Sequence, residues 1–159
     1  MSQRTQELAQ RFNAANAEMI RYIEGCSEND LDRITMGEGW SVRVTAHHLA
    51  VSHEPVAGLA QLLASGQPLP PLTLEIFHHG NAQHAAEYAT VSKQMILDTL
   101  QNGGAQASAV VSGLSDEALD RSGYFTLVNG EITAQGVIEN ILISHISSHL
   151  ESIKAAVGK

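Results

Sequence analysis

The sequence predicts an all-α fold, a four-helix bundle whose helices are joined by long connections. Apolar residues recur at steps of three and four in four stretches of roughly 20 residues, as expected of helices that each bury one face. Strand-like alternation is confined to one short stretch, and a run of prolines marks one connection. The chain has 159 residues, 43% of them hydrophobic, so we expect a single domain over residues 1–159.

The first predicted helix covers residues 4–24. Its apolar positions follow one face and are Leu8, Phe12, Ala15, Met19 and Tyr22/Ile23. Gly25 ends it, since glycine is a common terminator of helices. The segment after it, SENDLDRITMGEG, is rich in turn formers and leads to the second helix.

The second predicted helix covers about residues 42–64. Ser41 comes directly before it and is a good N-cap, because its hydroxyl accepts hydrogen bonds from the free amides of the first turn. The segment SGQPLPPL follows, and its three prolines withhold backbone donors from any helix. We therefore expect residues 66–80 to form a loop.

The third predicted helix runs from about Asn81 to Val111, where the apolar spacing is mostly helical. Gly103 and Gly104 lie inside it, and each disfavours a helix by about 1 kcal/mol relative to alanine. We therefore expect a kink or a break at this pair.

A short hairpin and a final helix complete the predicted fold. The dipeptide Asn129-Gly130 within YFTLVNGEIT favours a tight turn, so two very short strands are expected around it. Residues 134–157 form a strongly amphipathic fourth helix that ends before Gly158.

Composition and charge exclude several classes of function. The formal net charge is −8 and no basic cluster is present, so nucleic acid is not an expected partner. No apolar run approaches the roughly 18 residues that a membrane span requires, and the polar N-terminus lacks a secretory core, so we expect a cytoplasmic protein. The single cysteine, Cys26, has no partner for an internal disulfide.

Among the eight histidines, His145 and His149 have the spacing of a metal-binding pair. Four residues on a helix bring two imidazoles to one face, one turn apart, so that both can reach one ion. The pair is in phase with Ile138, Ile141 and Leu142 and so faces the interior. Chance also produces such pairs, and position 146 is isoleucine, so the general base of the HExxH metalloproteases is missing.

A third ligand has to come from another helix, and the second helix offers His47 and His48. Adjacent residues point about 100° apart on a helix, so only one of them can face the interior. His48 shares a stripe with Val44, Val51 and Pro55, which makes it the predicted ligand and leaves His47 at a solvated or rim position. The remaining histidines are weaker candidates: His53 could at most border the pocket mouth, and His78, His79 and His84 surround the start of the third helix.

These motifs, in order and spacing, resemble those of the DinB-like superfamily (the DinB/YfiT type) of four-helix-bundle metalloenzymes, which includes bacillithiol- and mycothiol-linked transferases and isomerases. The matching residues are Gly39-Trp40-Ser41-Val42-Arg43, His48-Leu49-Ala50 and His145-(x3)-His149-Leu150-(x2)-Ile153. The connector Leu114-Ser115-Asp116-Glu117-Ala118-Leu119 also resembles that of the family.

The resemblance implies that His48, His145 and His149 bind one divalent ion, zinc, nickel or iron, with open positions, and that the protein is a homodimer. Two features depart from the family pattern. The Gly103-Gly104 pair interrupts a helix that is usually continuous, and no arginine-rich cluster marks a pocket for a thiol cofactor.

The leading hypothesis is therefore a metal-dependent enzyme that activates water or a low-molecular-weight thiol, as a hydrolase or a thiol S-transferase acting on a small molecule. Glu54 and Glu87 are candidates for a general base, and Trp40 is interpreted as a packing anchor rather than a substrate contact. One alternative is a non-catalytic, metal-stabilised binding or dimerisation module. In another, the histidines bind no metal and only satisfy one another in the core.

Overall fold

The computed structural model describes residues 2–158, and four long helical runs dominate it. They pack around a core that includes Phe12, Met19, Leu49, Leu100 and Leu142, all of which are buried. In chain order the elements are α1 (Gln3–Gly25), α2 (Glu28–Leu31), α3 (Val42–Ala64), α4 (Leu74–Glu87), α5 (Lys93–Ser112), α6 (Asp116–Leu119), β1 (Ser122–Phe125), β2 (Gly130–Thr133), α7 (Ala134–Gly136), a π-helical segment (Val137–Ile143) and α8 (Ser144–Val157).

The first two predicted helices are confirmed, together with their boundaries. α1 ends at Gly25, as predicted. The Ser41 hydroxyl accepts a hydrogen bond from the backbone N–H of Val44, so α3 begins with the N-cap that the sequence indicates. No helix within residues 2–158 is long and apolar enough to span a membrane.

The predicted loop over residues 66–80 and the predicted third helix from Asn81 to Val111 are both wrong in their boundaries. A helix, α4, begins at Leu74, capped by Thr73, and ends at Glu87, and the chain then breaks before α5 begins at Lys93. None of the residues of α4 is buried, so the periodic pattern of apolar residues that indicates a helix in a sequence is missing there. The prolines indicated a loop, but a helix begins soon after them.

The expected kink at Gly103 and Gly104 is also wrong, since α5 runs unbroken through both. The reason is close packing. A Cβ on Gly103 would lie 3.3 Å from the carbonyl oxygen of Ala50 on α3, and one on Gly104 would lie 2.2 Å from Nδ2 of Asn16 on α1. The glycines thus let α5 approach two helices at once, and this packing outweighs their poor helix propensity.

The hairpin before the last helix is confirmed. β1 and β2 pair antiparallel with Tyr124 opposite Glu131, and Asn129 closes the connection at a φ of 49°. The fourth predicted helix is confirmed over Ala134–Val157, but its Val137–Ile143 portion is π-helical. There the N–H of Ser144 bonds to the carbonyl of Glu139, five residues back, which a regular helical period does not predict.

Replacing Gly104 with alanine should destabilise the fold. The new methyl group would force the Asn16 side chain from its hydrogen bonds with His53 and with the carbonyl of Leu100. We expect a loss of about 1–3 kcal/mol in the free energy of unfolding, measured in urea. Gly58→Ala in α3 is the matched control: no atom lies within 4 Å of its added Cβ, so stability should hold or rise. Equal stability of Gly104→Ala and the wild type would contradict this account.

Candidate metal centre

The structure brings together the three histidines that the sequence predicts as ligands. His48 lies on α3, and His145 and His149 lie one turn apart on α8. Each offers one nitrogen such that all three ligand atoms lie within 4.8 Å of one another. The ring of His48 stands nearly perpendicular to the other two, with centroid distances of 5.3 Å to His145 and 5.4 Å to His149.

A carboxylate fixes the orientation of His149. Nδ1 of His149 lies 2.6 Å from Oε1 of Glu38, and the Ser152 hydroxyl donates to the other carboxylate oxygen at 2.8 Å. Burial opposes ionisation of Glu38, but hydrogen bonds from Ser152 and Thr35 outweigh it and hold the pKa of this carboxyl below its usual value. An ionised carboxylate only accepts, so the hydrogen between the two groups is on Nδ1 of His149.

A hydroxyl group fixes the orientation of His145, again through a hydrogen bond at Nδ1. The Ser52 Oγ–H donates to the carbonyl oxygen of Leu49 at 2.7 Å, which leaves only lone pairs of Oγ for Nδ1 of His145, 3.2 Å away. The Nδ1 atom of His145 therefore carries its hydrogen and donates it to Ser52.

The two Nε2 atoms of this pair face each other without a hydrogen between them. They lie 2.7 Å apart, within hydrogen-bond distance. Burial, and next the neighbouring His149, lower the pKa of His145 to about 3, and burial lowers that of His149 against the opposing effect of Glu38. Both rings are then neutral near pH 7, with their hydrogens on Nδ1. Two lone pairs directed at each other repel, whereas a shared cation turns both into ligands.

The donor set fits a divalent transition metal. Neutral imidazole nitrogens are ligands for zinc, nickel, copper and iron alike. His48 completes the set in a neutral form, because burial, together with the proximity of His149 and His84, lowers its pKa to about 4. No hydrogen-bonded proton has to be displaced from the facing nitrogens when a cation enters.

Packed aromatic rings hold His48 in place. The ring of Trp40 contacts it edge to face, with a centroid distance of 5.2 Å, and the ring of His84 lies 5.7 Å away. Trp40, interpreted from the sequence as a packing anchor, is half-buried and packs against this candidate ligand.

His47 is buried, so the prediction of a solvated or rim position is wrong. Its Nδ1 lies 2.9 Å from Nε2 of His84, and its ring stacks on His84 and contacts Tyr88. The covering residues lie in and just after α4, the helix that the sequence did not reveal. His84 thus reaches the edge of the site, whereas His78 and His79 are exposed.

His53 does not border the pocket mouth but is fully buried in the core. Its Nε2 lies 3.0 Å from Oδ1 of Asn16, and its ring packs edge to face against Phe12. Burial lowers the pKa of His53 to about 4, so this ring is neutral as well.

A cavity of about 820 Å³ opens onto the histidines, with His48 and His145 in its wall. The π-helical segment and its C-cap contribute Asn140, Ile141 and Ser144 to it. Glu54 and Glu87, the candidates for a general base, are both absent from its lining: Glu54 lines a separate groove together with residues of α5, and Glu87 is exposed.

Sequence reasoning missed Glu38, Ser52 and Ser152, which orient the facing imidazoles. Glu38 belongs to a connector that reads only as a turn, and 111 positions separate it from His149. Ser52 follows His48 by one turn, a position that could have indicated a residue of the same face.

Comparison with known proteins agrees with this fold. The family described as the DinB superfamily matches residues 11–153. YfiT from Bacillus subtilis, described as "a probable metal-dependent hydrolase with an unusual four-helix bundle topology", superposes with a TM-score of 0.75 at 20% identity, over 99% of this chain and 90% of YfiT. No curated protein sequence matches the chain.

A mycothiol-dependent maleylpyruvate isomerase also superposes with a TM-score of 0.75, at 13% identity over 94% of this chain, and a mutant of it does so at 12%. This chain spans only 60% of the length of that isomerase. At such identities the likeness shows the fold, and it confirms the predicted four-helix bundle.

The stability of the metal-free protein should fall as the pH is lowered from about 6.5 to 4. In the unfolded chain the pKa of His53 is near the ordinary histidine value of 6.5, whereas burial lowers this pKa to about 4 in the folded chain. Proton binding to His53 therefore favours the unfolded state between pH 6.5 and 4. It lowers the free energy of unfolding by at most about 3 kcal/mol, and the effect levels off below pH 4. Urea unfolding with a chelator present measures it.

His53→Gln removes this titration while keeping an amide that can bond to Asn16. Its stability should decline less steeply than that of the wild type between pH 6.5 and 4, with the remaining slope due to the other buried histidines. Identical slopes for the two proteins would show that His53 titrates normally in the folded state.

Proposed function

Because this chain belongs to the DinB superfamily, we propose that it is a metal-dependent enzyme in which His48, His145 and His149 hold one divalent ion. The observation that carries the proposal is the pair of Nε2 atoms of His145 and His149, which face each other at 2.7 Å. The partners of the two Nδ1 atoms, Glu38 and Ser52, imply that the hydrogens of both rings lie on Nδ1, away from this contact. Zinc, nickel and iron are the proposed ions, and the ligand chemistry does not choose among them.

The ion, when bound, supplies Lewis acidity that lowers the pKa of a water or thiol nucleophile. Residues of the protein orient the ligand imidazoles. Glu38 and Ser52 hold the His149 and His145 rings by their Nδ1 atoms, so that their Nε2 atoms stay aimed at one point. Such partners also make the ligands more basic.

Three protein ligands leave room for a nucleophile, which is the arrangement of catalytic rather than closed structural sites. The cavity supports the same interpretation, since His48 and His145 lie in its wall and are thereby open to a small molecule. We infer hydrolysis, or transfer of a low-molecular-weight thiol, as the reaction class. YfiT, described as a probable metal-dependent hydrolase, and the isomerase, described as mycothiol-dependent, lend support through the shared fold.

No Asp or Glu within residues 2–158 lines the cavity, so we assign no carboxylate as general base. We further propose that residues 1–159 are one domain, and that the protein acts in the cytoplasm as a homodimer, as the family resemblance implies.

His149→Ala should abolish stoichiometric metal binding. The substitution removes one of the two facing nitrogens and leaves Glu38 without its imidazole partner. Metal content after purification without chelator should fall from about one ion per chain to near none. In titrations, the fluorescence of Trp40, the only tryptophan, should respond to metal in the wild type, since its ring contacts His48.

His78→Ala is the matched control, because His78 is exposed and does not line the cavity, and it should retain full occupancy. Glu38→Gln keeps the size of the orienting side chain but removes its charge, and it should weaken metal binding by roughly 10- to 100-fold. Full metal retention by His149→Ala would refute the ligand assignment.

Metal removal separates the enzyme from a merely metal-stabilised module. If the ion is catalytic, chelated protein should keep its helical circular dichroism but lose turnover on a panel of esters and thiol acceptors, and adding metal back should restore it. Unfolding on chelation would instead favour the structural role. Turnover that survives complete metal removal would contradict the proposed chemistry.

A further inference from the structure

The cavity beside the histidines has a wall without any formally charged residue. Among the residues that line it within 2–158, none is Lys, Arg, Asp or Glu. This is unusual for a chain with 26 such residues in total, 9 basic and 17 acidic. Apart from the ion proposed at the histidines, which could pair with a single anionic group, the wall offers no ion-pair partner to a carboxylate, phosphate or ammonium group that loses water on entering the cavity.

Apolar side chains from separate elements form most of the wall. Val56 and Leu59 come from α3, Phe77 from α4, Phe125 from β1 and Ile141 from the π-helical segment. Two aromatic rings and several branched aliphatic side chains in the wall suit a hydrocarbon or aromatic body. The volume of about 820 Å³ is within the range of small-molecule sites.

Some of the polar groups of the wall lie beside the histidines. Ser52, Ser144 and Ser148 lie on the same two helical runs as the histidines and within one turn of His48 or His145. Asn81, His84 and Asn140 are the other polar residues of an otherwise mostly apolar wall, and the serines beside His48 and His145 can hold the polar end of a bound molecule.

We propose that this cavity binds an uncharged small molecule with an apolar body, whose polar group lies against His48 and His145. The proposal deepens the proposed function and rests on it for the position of the reacting group. It excludes dicarboxylates, sugar phosphates and other multiply charged compounds as the occupant of the cavity.

Binding of two matched fluorescent probes tests the proposal without turnover and without metal. N-phenyl-1-naphthylamine is neutral, and 8-anilinonaphthalene-1-sulfonate has the same aromatic frame with one sulfonate. The wild-type protein should bind the neutral probe at least about tenfold more tightly, because the wall offers the sulfonate no cation. Equal affinity, or a preference for the sulfonate, would overturn the proposal.

Lysine substitutions locate the binding. Val128 and Phe77 line the cavity and are 47% and 40% exposed, so Val128→Lys and Phe77→Lys should fold and should shift the preference towards the sulfonate by at least about tenfold. Met95→Lys is the control: Met95 is 50% exposed but lies outside the cavity, and its substitution should leave both affinities unchanged. If neither cavity variant changes the preference, or if Met95→Lys changes it equally, the probes bind elsewhere and the proposal fails.

Elemental analysis of the same protein preparations, made before metal is removed for the probe experiments, distinguishes this proposal from the metal site. Selective binding of the neutral probe by a protein that never acquires metal would support the cavity and refute the proposed enzyme. Stoichiometric metal together with equal affinity for the two probes would support the metal site and refute the proposed selectivity of the cavity.

Discussion

The interaction on which the site depends is the pair of hydrogen bonds made on the far sides of two imidazoles. Glu38 accepts a hydrogen bond from Nδ1 of His149, and Ser52 accepts one from Nδ1 of His145. The Nε2 atoms of the two rings then direct their lone pairs at each other across 2.7 Å. Burial keeps both rings neutral, so no proton relieves the repulsion. A bound cation would relieve the repulsion between the two Nε2 lone pairs, and the surrounding structure holds the two rings in these positions.

The fold supplies that arrangement from three directions. α8 provides two histidines one turn apart, α3 provides His48 and Ser52, and the connector between α2 and α3 provides Glu38. Gly103 lets α5 approach α3 closely, Gly104 lets it approach α1, and α4 covers part of α3 through the contact of His84 with His47. The π-helical segment just before α8 lines the cavity with Asn140 and Ile141.

The parts that were predictable from the sequence are those with local periodicity. The helical spacing located α1 and α3, the four-residue step identified His145 and His149, and the stripe through Val44 selected His48 over His47. What failed depends on packing between distant segments. α4 buries no residue and so carries no pattern, Gly103 and Gly104 indicate a break unless their neighbours are known, and Glu38 meets His149 only in three dimensions. Helix propensity is local, whereas these features are set by tertiary contacts.

The most direct test is a crystal structure of protein purified without chelator, with anomalous scattering recorded at the absorption edges of zinc, nickel and iron. We expect one anomalous peak about 2.0–2.2 Å from Nε2 of both His145 and His149 and from one nitrogen of His48, with Glu38 still bonded to Nδ1 of His149. An ion held by another set, such as His47 and His84, or the absence of any peak between the two Nε2 atoms, would contradict this expectation.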